Sequence, residues 1–316
     1  MGAIRRQTPR SMPSDANVQA VAAKLNTRFL VAGSRGDNAT KNPDFSVHGQ
    51  FRVRGGDLSS VRDRKVVLFL HGYNVTTREG LQQYEEFFTR LETSLLRDGR
   101  NLSDYAFLGF TWPGDVGPVY FNDAQQFAHF SGTALYRLLK ELAEVQQVAD
   151  VSLVTHSLGA HVGLRASAIL GERLFHRASR IRLSTVLLLA PAVEDDVFHR
   201  PQRSEEFHFP ESAFGISALH IFVSRDDDVL GAAFRVNEFD TALGFAGPES
   251  LDSLQSLSRR VRDVTQEQGD PRQFTFELHD FSTSSAVIMN PNVWARAHGD
   301  YWSRQEQADY YVNFIP

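Results

Sequence analysis

Residues 151–163 read VSLVTHSLGAHVG: an apolar run of strand character that stops at a histidine and a serine, then opens onto small residues. A hydroxyl at the abrupt end of a buried strand has two readings. Ser157 either caps the helix that follows or is a nucleophile carried on a tight strand-to-helix turn. The second reading asks for small neighbours, because the turn strains the backbone and the helix must lie close against the strand. Gly159 meets that demand.

Outward from this stretch, strand and helix patterns alternate. KVVLFLHGYN (65–74) is a continuous apolar run, as expected of a strand covered on both faces. Thr76 to Glu79 form a capping-box pattern, and Leu81, Tyr84, Phe88, Leu91 and Leu95 recur by threes and fours up to a C-cap at Gly99. YAFLGFTWPG (105–114) predicts a strand and turn, and Phe127, Phe130, Ala134, Leu138 and Leu142 predict a long helix. A helix from Leu158 to about Leu170 follows VSLVT (151–155). STVLLLAPA (184–192) and SALHIFVS (217–224) are two further buried strands. Leu251, Leu254, Leu257, Val261 and Val264 make another helical stripe, FTFEL (274–278) is the last strand, and Ala308 to Phe314 hold a final helix. Near the N-terminus, RFLVAGSR (28–35) and VHGQFRVR (47–54) read as short strands around a turn rich in Gly, Asn and Asp.

This alternation predicts an α/β fold, a mostly parallel central sheet of about eight strands with helices on both faces. No repeat, low-complexity linker or break in composition interrupts it. The expected organisation is a flexible polar tail at 1–20 and one domain at 21–316, with a polar, aromatic-containing insert at 193–215 where a cap over a site would lie.

In open α/β sheets, ligands bind outside the carboxyl ends of the strands. The chemistry-bearing residues collect there. His71-Gly72-Tyr73-Asn74 follow the third run, His156-Ser157-Leu158-Gly159 the fifth, and Arg225-Asp226-Asp227-Asp228 the seventh; His279 follows the eighth, with His298 farther on. Read by themselves, three successive carboxylates are a solvated loop or an acid beside its neighbours. Asp195 and Asp196 compete with them, and His279 competes with His298. The histidines show no metal-ligand spacing such as HExxH, so neither a metal nor another cofactor is expected.

The stretches FLHGYNVT (69–76), FTWPG (110–114), THSLGAHV (155–162), APAVEDDVF (190–198), SRDDDVL (224–230), ALGFAGP (242–248) and HGDYW (298–302) resemble, in order, the α/β-hydrolase superfamily. More narrowly they resemble a bacterial branch long catalogued as a domain of unknown function. The likeness spans roughly residues 60 to 302. It implies an α/β-hydrolase fold and a triad in the chain order serine, acid, histidine: Ser157 as nucleophile, Asp227 selected by the pattern S-R-x-D-x-x-L, and His298 within HGDYW. It implies backbone amides of Tyr73 and Leu158 as an oxyanion hole. His71, Gly72, Asn74, His156 and Gly159 then support the loop and the turn, with Asn74 orienting the loop through its side chain. One departure stands out: Thr155 occupies the place of the first glycine of G-x-S-x-G, where a β-branched residue crowds the turn.

Composition narrows the alternatives. The 316 residues are 42% hydrophobic and 22% charged with a net charge of −5, which suits no nucleic-acid partner. There is no cysteine, which removes disulfides and thiolate chemistry. No apolar run reaches the ~20 residues needed to span a bilayer. The N-terminal MGAIRRQTPRSMPSDAN has arginines without an apolar stretch, so the expected location is cytoplasmic. The sequence sets no oligomeric state. The expected activity is hydrolysis of a small-molecule acyl substrate, a carboxylic ester or relative, through an acyl-enzyme. A non-catalytic binding protein on the same fold, or a peptidase, amidase or thioesterase with the same triad, are the competing readings.

Overall fold

Eight strands, apolar at the centre and more polar at the two edges, line up side by side in the computed structural model, which describes residues 29–34, 50–117, 120–148, 150–175, 182–199, 207–234, 240–283 and 297–316. The tail at 1–20 and residues 200–206 of the insert lie outside them. The strands are β1 (Leu30–Gly33), β2 (Arg52–Gly55), β3 (Lys65–Leu70), β4 (Tyr105–Thr111), β5 (Val151–His156), β6 (Leu183–Leu189), β7 (Ile216–Val223) and β8 (Thr275–Asp280). They form one sheet in the order β2-β1-β4-β3-β5-β6-β7-β8. Every neighbouring pair is parallel except β1 and β2, which makes β2 an antiparallel edge. The central strands β4 and β5 are buried along their whole length, which is why their sequences run apolar without alternating.

Among the described residues, five helices of seven residues or more cover the sheet: α1 (Thr77–Arg97), α2 (Phe121–Glu144), α3 (Gly159–Phe175), α4 (Leu251–Glu267) and α5 (Gln305–Tyr311). The capping box at the start of α1 is formed: Thr76 Oγ1 accepts from the Glu79 amide, and the Thr76 amide donates to Glu79 Oε2 at 2.8 Å. The two faces can be told apart from β3 and β5. Phe69 packs on Phe87 of α1 with ring centroids 4.7 Å apart. Leu153 and Thr155, on the opposite pleat, meet α3 at Gly163.

That last contact accommodates the departure from G-x-S-x-G. A Cβ added at Gly163 would stand 2.8 Å from Thr155 Cγ2. The extra bulk at the strand end is matched by a missing side chain one turn into the helix. Of the insert at 193–215, Phe198, Phe209 and Phe214 are core residues. Phe207 and Phe209 pack on two histidines, with ring centroids 5.1 Å from His129 of α2 to Phe207 and 4.8 Å from His161 of α3 to Phe207. Burial, reinforced by Arg165, pushes the His129 imidazole down to about 4; burial also holds His161 well below its ordinary range.

Two expectations follow from this packing. Gly163→Ala will destabilise the fold by about 1–3 kcal/mol through overpacking, and the cost will shrink in a Thr155→Ser background, which lacks Cγ2. Urea unfolding of the four proteins measures the coupling; full additivity would show that the two positions do not share the space. The second expectation concerns pH. His129 binds its proton less readily folded than unfolded, where imidazole titrates near 6.5. Between those values the unfolded chain holds more protons, so the stability from neutral His129 is complete above pH 6.5 and declines as pH falls toward 4. A series of thermal melts from pH 7.5 to 4.5 should show His129→Leu losing less Tm on acidification than the parent.

Candidate active site

Strand β5 ends at His156 and α3 begins at Gly159, leaving two residues for the reversal. Ser157 makes it with φ +53°, in the left-handed region. For a residue with a side chain that costs about 1–3 kcal/mol and persists only where the surroundings enforce it. The enforcement is visible. The Ser157 amide donates to the Leu189 carbonyl at the end of β6 (3.0 Å), and the Ser157 carbonyl accepts from the Ala160 amide (3.0 Å). A Cβ on Gly159 would lie 2.5 Å from the His71 carbonyl oxygen, and one on Gly72 would lie 2.8 Å from Ser157 Cβ. Both glycines are therefore required by close approach. Asn74 (φ +54°) and Ala190 (φ +46°), beyond the ends of β3 and β6, are left-handed as well. Three adjacent strands thus end in strained turns around one point.

The acid and the base meet from distant parts of the chain. Asp227, fully buried, lies in the loop after β7, and its Oδ1 accepts from the Leu230 amide (3.1 Å). His298 Nδ1 lies 2.8 Å from Asp227 Oδ2. Since a carboxylate only accepts, Nδ1 carries a proton, and in the neutral ring the lone pair is then on Nε2. The His298 segment is tied to the nucleophile turn through His156. His156 Nε2 donates to the His298 carbonyl (2.9 Å), and the two rings are 4.6 Å apart. Burial and the two neighbouring histidines keep the His156 imidazole neutral, well below its ordinary range. Trp302, which the sequence reading overlooked, packs edge-on against His156 at 4.2 Å and against Phe69. Its signal was its place within HGDYW. Among the described residues no hydrogen bond engages the Ser157 hydroxyl.

His71 holds the loop after β3. The Trp112 amide donates to His71 Nε2 (3.2 Å), so Nδ1 carries the proton and donates to the Gly72 carbonyl (2.9 Å). The indole of Trp112 stacks on the ring and its N–H donates to the His71 carbonyl (2.8 Å). Asn74 fixes the same loop through its backbone amide, which donates to Gly114 (2.8 Å), rather than through its exposed side chain. Among the described residues neither the Tyr73 amide nor the Leu158 amide donates to a protein acceptor.

The competing residues lie elsewhere. Asp195 is bound into a turn with Thr241 and Glu249 by its backbone; burial and the nearby Asp240, Asp196 and Glu249 carboxylates push its carboxyl up to about 6. His279 faces His220 and Tyr310, at 3.2 and 3.1 Å. Asp226 Oδ2 accepts from the Thr283 amide at 2.5 Å, while Asp228 is exposed. Among the described residues, three groups of side chains bring metal-ligand atoms together: Glu194, Asp196 and His208; Asp196, His199 and Glu249; and His220, Glu277 and His279. None includes Ser157, Asp227 or His298. No helix among the described residues is long and apolar enough to cross a membrane.

Among solved structures, the chain is similar to the esterase Pf2001 of Pyrococcus furiosus, with 13% identity over 84% of this chain and 85% of that one and a TM-score of 0.39. Esterase B of Lactobacillus rhamnosis is similar at 12% identity over 95% and 92%, with a TM-score of 0.41. Est1E of Butyrivibrio proteoclasticus is similar at 11% over 79% and 86%, with a TM-score of 0.39. Likenesses of this degree do not bear on what the chain does. No curated protein sequence matches it. The family model of an alpha/beta hydrolase of unknown function (DUF900) matches residues 52–288, from the antiparallel edge strand to beyond β8, and the chain belongs to that family.

Proposed function

We propose that the chain is a serine hydrolase cleaving a carboxylic ester or related acyl compound. The observation that carries this reading is the 2.8 Å contact between His298 Nδ1 and the fully buried Asp227, in a segment that His156 ties to the turn holding Ser157 at positive φ. Asp227 fixes the tautomer that leaves Nε2 basic and stabilises the imidazolium once it forms. Nε2 takes the Ser157 proton as Oγ attacks the carbonyl carbon; the bond from Oγ to Nε2 forms in the substrate complex, where catalytic contacts tighten. The oxyanion of the tetrahedral intermediate sits between the Tyr73 and Leu158 amides, the latter at the N-terminus of α3, whose dipole favours negative charge. Collapse expels the alcohol, protonated by His298. Water then attacks the acyl-Ser157 ester, with His298 again taking the proton, and the carboxylic acid leaves.

The test uses a fluorophosphonate probe and a panel of aryl esters, amides and thioesters of varied acyl length. The parent should label and hydrolyse esters, at a rate that falls on acidification as the base is protonated. Ser157→Ala should abolish labelling and lower turnover by as much as about 10⁶-fold. Asp227→Asn should lower kcat by on the order of 10⁴-fold, the loss seen for the equivalent change in a serine protease, with little change in KM. A parent protein that neither labels nor turns over any member of the panel would leave the binding-protein reading in its place. Unchanged labelling of Ser157→Ala would move the nucleophile elsewhere.

A further inference from the structure

Strands β7 and β8 are paired in register so that His220 stands opposite Glu277 and Phe222 opposite His279. Side chains alternate along a strand, so Glu277 and His279 share one face of β8, and His220 presents its ring on the same face of β7. Three ligand atoms converge there. His220 Nδ1 is 3.2 Å from His279 Nε2, and Glu277 Oε2 is 3.5 Å from the first and 3.6 Å from the second. Zinc binds imidazole nitrogen and carboxylate oxygen at about 2.0–2.2 Å, which makes the edges of its coordination tetrahedron about 3.3–3.6 Å long. The three observed separations lie within about 0.1 Å of that range.

We propose that His220, Glu277 and His279 form a binding site for a zinc-class divalent cation that clips the edge strand β8 to β7, apart from Ser157, Asp227 and His298. Two imidazoles and one carboxylate are a donor set for zinc and its first-row neighbours, not for calcium or magnesium, which take oxygen ligands. The surroundings orient the ligands. His279 Nδ1 lies 3.1 Å from the Tyr310 hydroxyl on α5; a proton on Nδ1 donated to that oxygen leaves the Nε2 lone pair facing the other two donors. Phe222 stacks on His279 at 4.5 Å and Phe314 lies 4.2 Å from His220, so both rings are held before any ion arrives. The side chains of both histidines are 9% exposed and that of Glu277 is 61% exposed, which gives two buried nitrogens and one carboxylate on the solvent side, where an ion enters and a water completes the tetrahedron.

The decisive experiment is titration of the untagged, chelator-stripped full chain with Co²⁺, whose visible absorption reports four-coordinate geometry, followed by displacement with Zn²⁺. Expected are intense bands that saturate at one equivalent, vanish on addition of Zn²⁺, and accompany a rise in Tm. His220→Ala and His279→Ala should abolish the bands. Glu277→Gln, at an exposed position that leaves the packing intact, should weaken Co²⁺ binding about tenfold or more, comparable to losses on disturbing metal ligands' own supports. It decides the matter if a histidine variant fails to fold, as circular dichroism would reveal. His199→Ala and His208→Ala, in the other two groups, should leave the bands unchanged. Absence of four-coordinate bands in the parent overturns the proposal. So do bands that survive Glu277→Gln at full affinity, or bands that disappear with His199→Ala or His208→Ala.

Discussion

To leave β5 and enter α3 within two residues, the chain takes Ser157 through a φ of +53°, and much of the neighbouring structure serves to hold it there. The Leu189 carbonyl at the end of β6 receives its amide, and Gly72 and Gly159 bring backbone against it from β3 and α3 at distances no side chain would tolerate. Parallel strands make this possible. Their carboxyl ends lie side by side, so the loops after β3, β5 and β6 turn at the same level, and each turns through a left-handed residue. Strain of this kind survives because the central strands are buried on both faces and do not give way.

The second constraint is the charge of Asp227. A carboxylate without exposure to water is costly unless its oxygens are satisfied. The Leu230 amide and His298 Nδ1 do that, one local and one from 71 residues away. The pairing therefore brings the 297–302 segment onto the sheet. His156 and Trp302 complete the attachment, the first through the His298 carbonyl and the second by packing on both His156 and Phe69. Removing the Trp302 ring would loosen the histidine without touching any polar group of the site.

Histidine is used in this fold mostly as a desolvated group, hydrogen-bonded at some positions and packed on aromatic rings at others. His71 and His156 join loops to loops, His129 and His161 support the aromatic end of the insert, and His220 and His279 face each other at the sheet edge. Desolvation lowers the proton affinity of His129, His156, His161, His220 and His279 alike. Where a desolvated imidazole has no carboxylate beside it, as at His129, it makes the fold acid-sensitive. Where two stand together with a carboxylate it makes a donor set.

Periodicity and turn chemistry are local, and what depends on them was legible in the sequence. The apolar runs located the strands, the Thr76–Glu79 capping box located the start of α1, and HSLG at the end of β5 marked the turn that carries Ser157. Pairing across the chain is not local. Nothing in FTFEL or SALHIFVS states that His220 will stand opposite Glu277, because register follows from how whole strands bury their faces. The same holds for the choice between Asp195 and Asp227 as the partner of His298. Both follow a strand, and only the packing of β6, β7 and the segment before α5 carries one carboxylate to the imidazole and leaves the other among its fellow acids. Thr155 shows the division most simply: in the sequence it is a misfit in a glycine's place, and in the fold Gly163 leaves room for it.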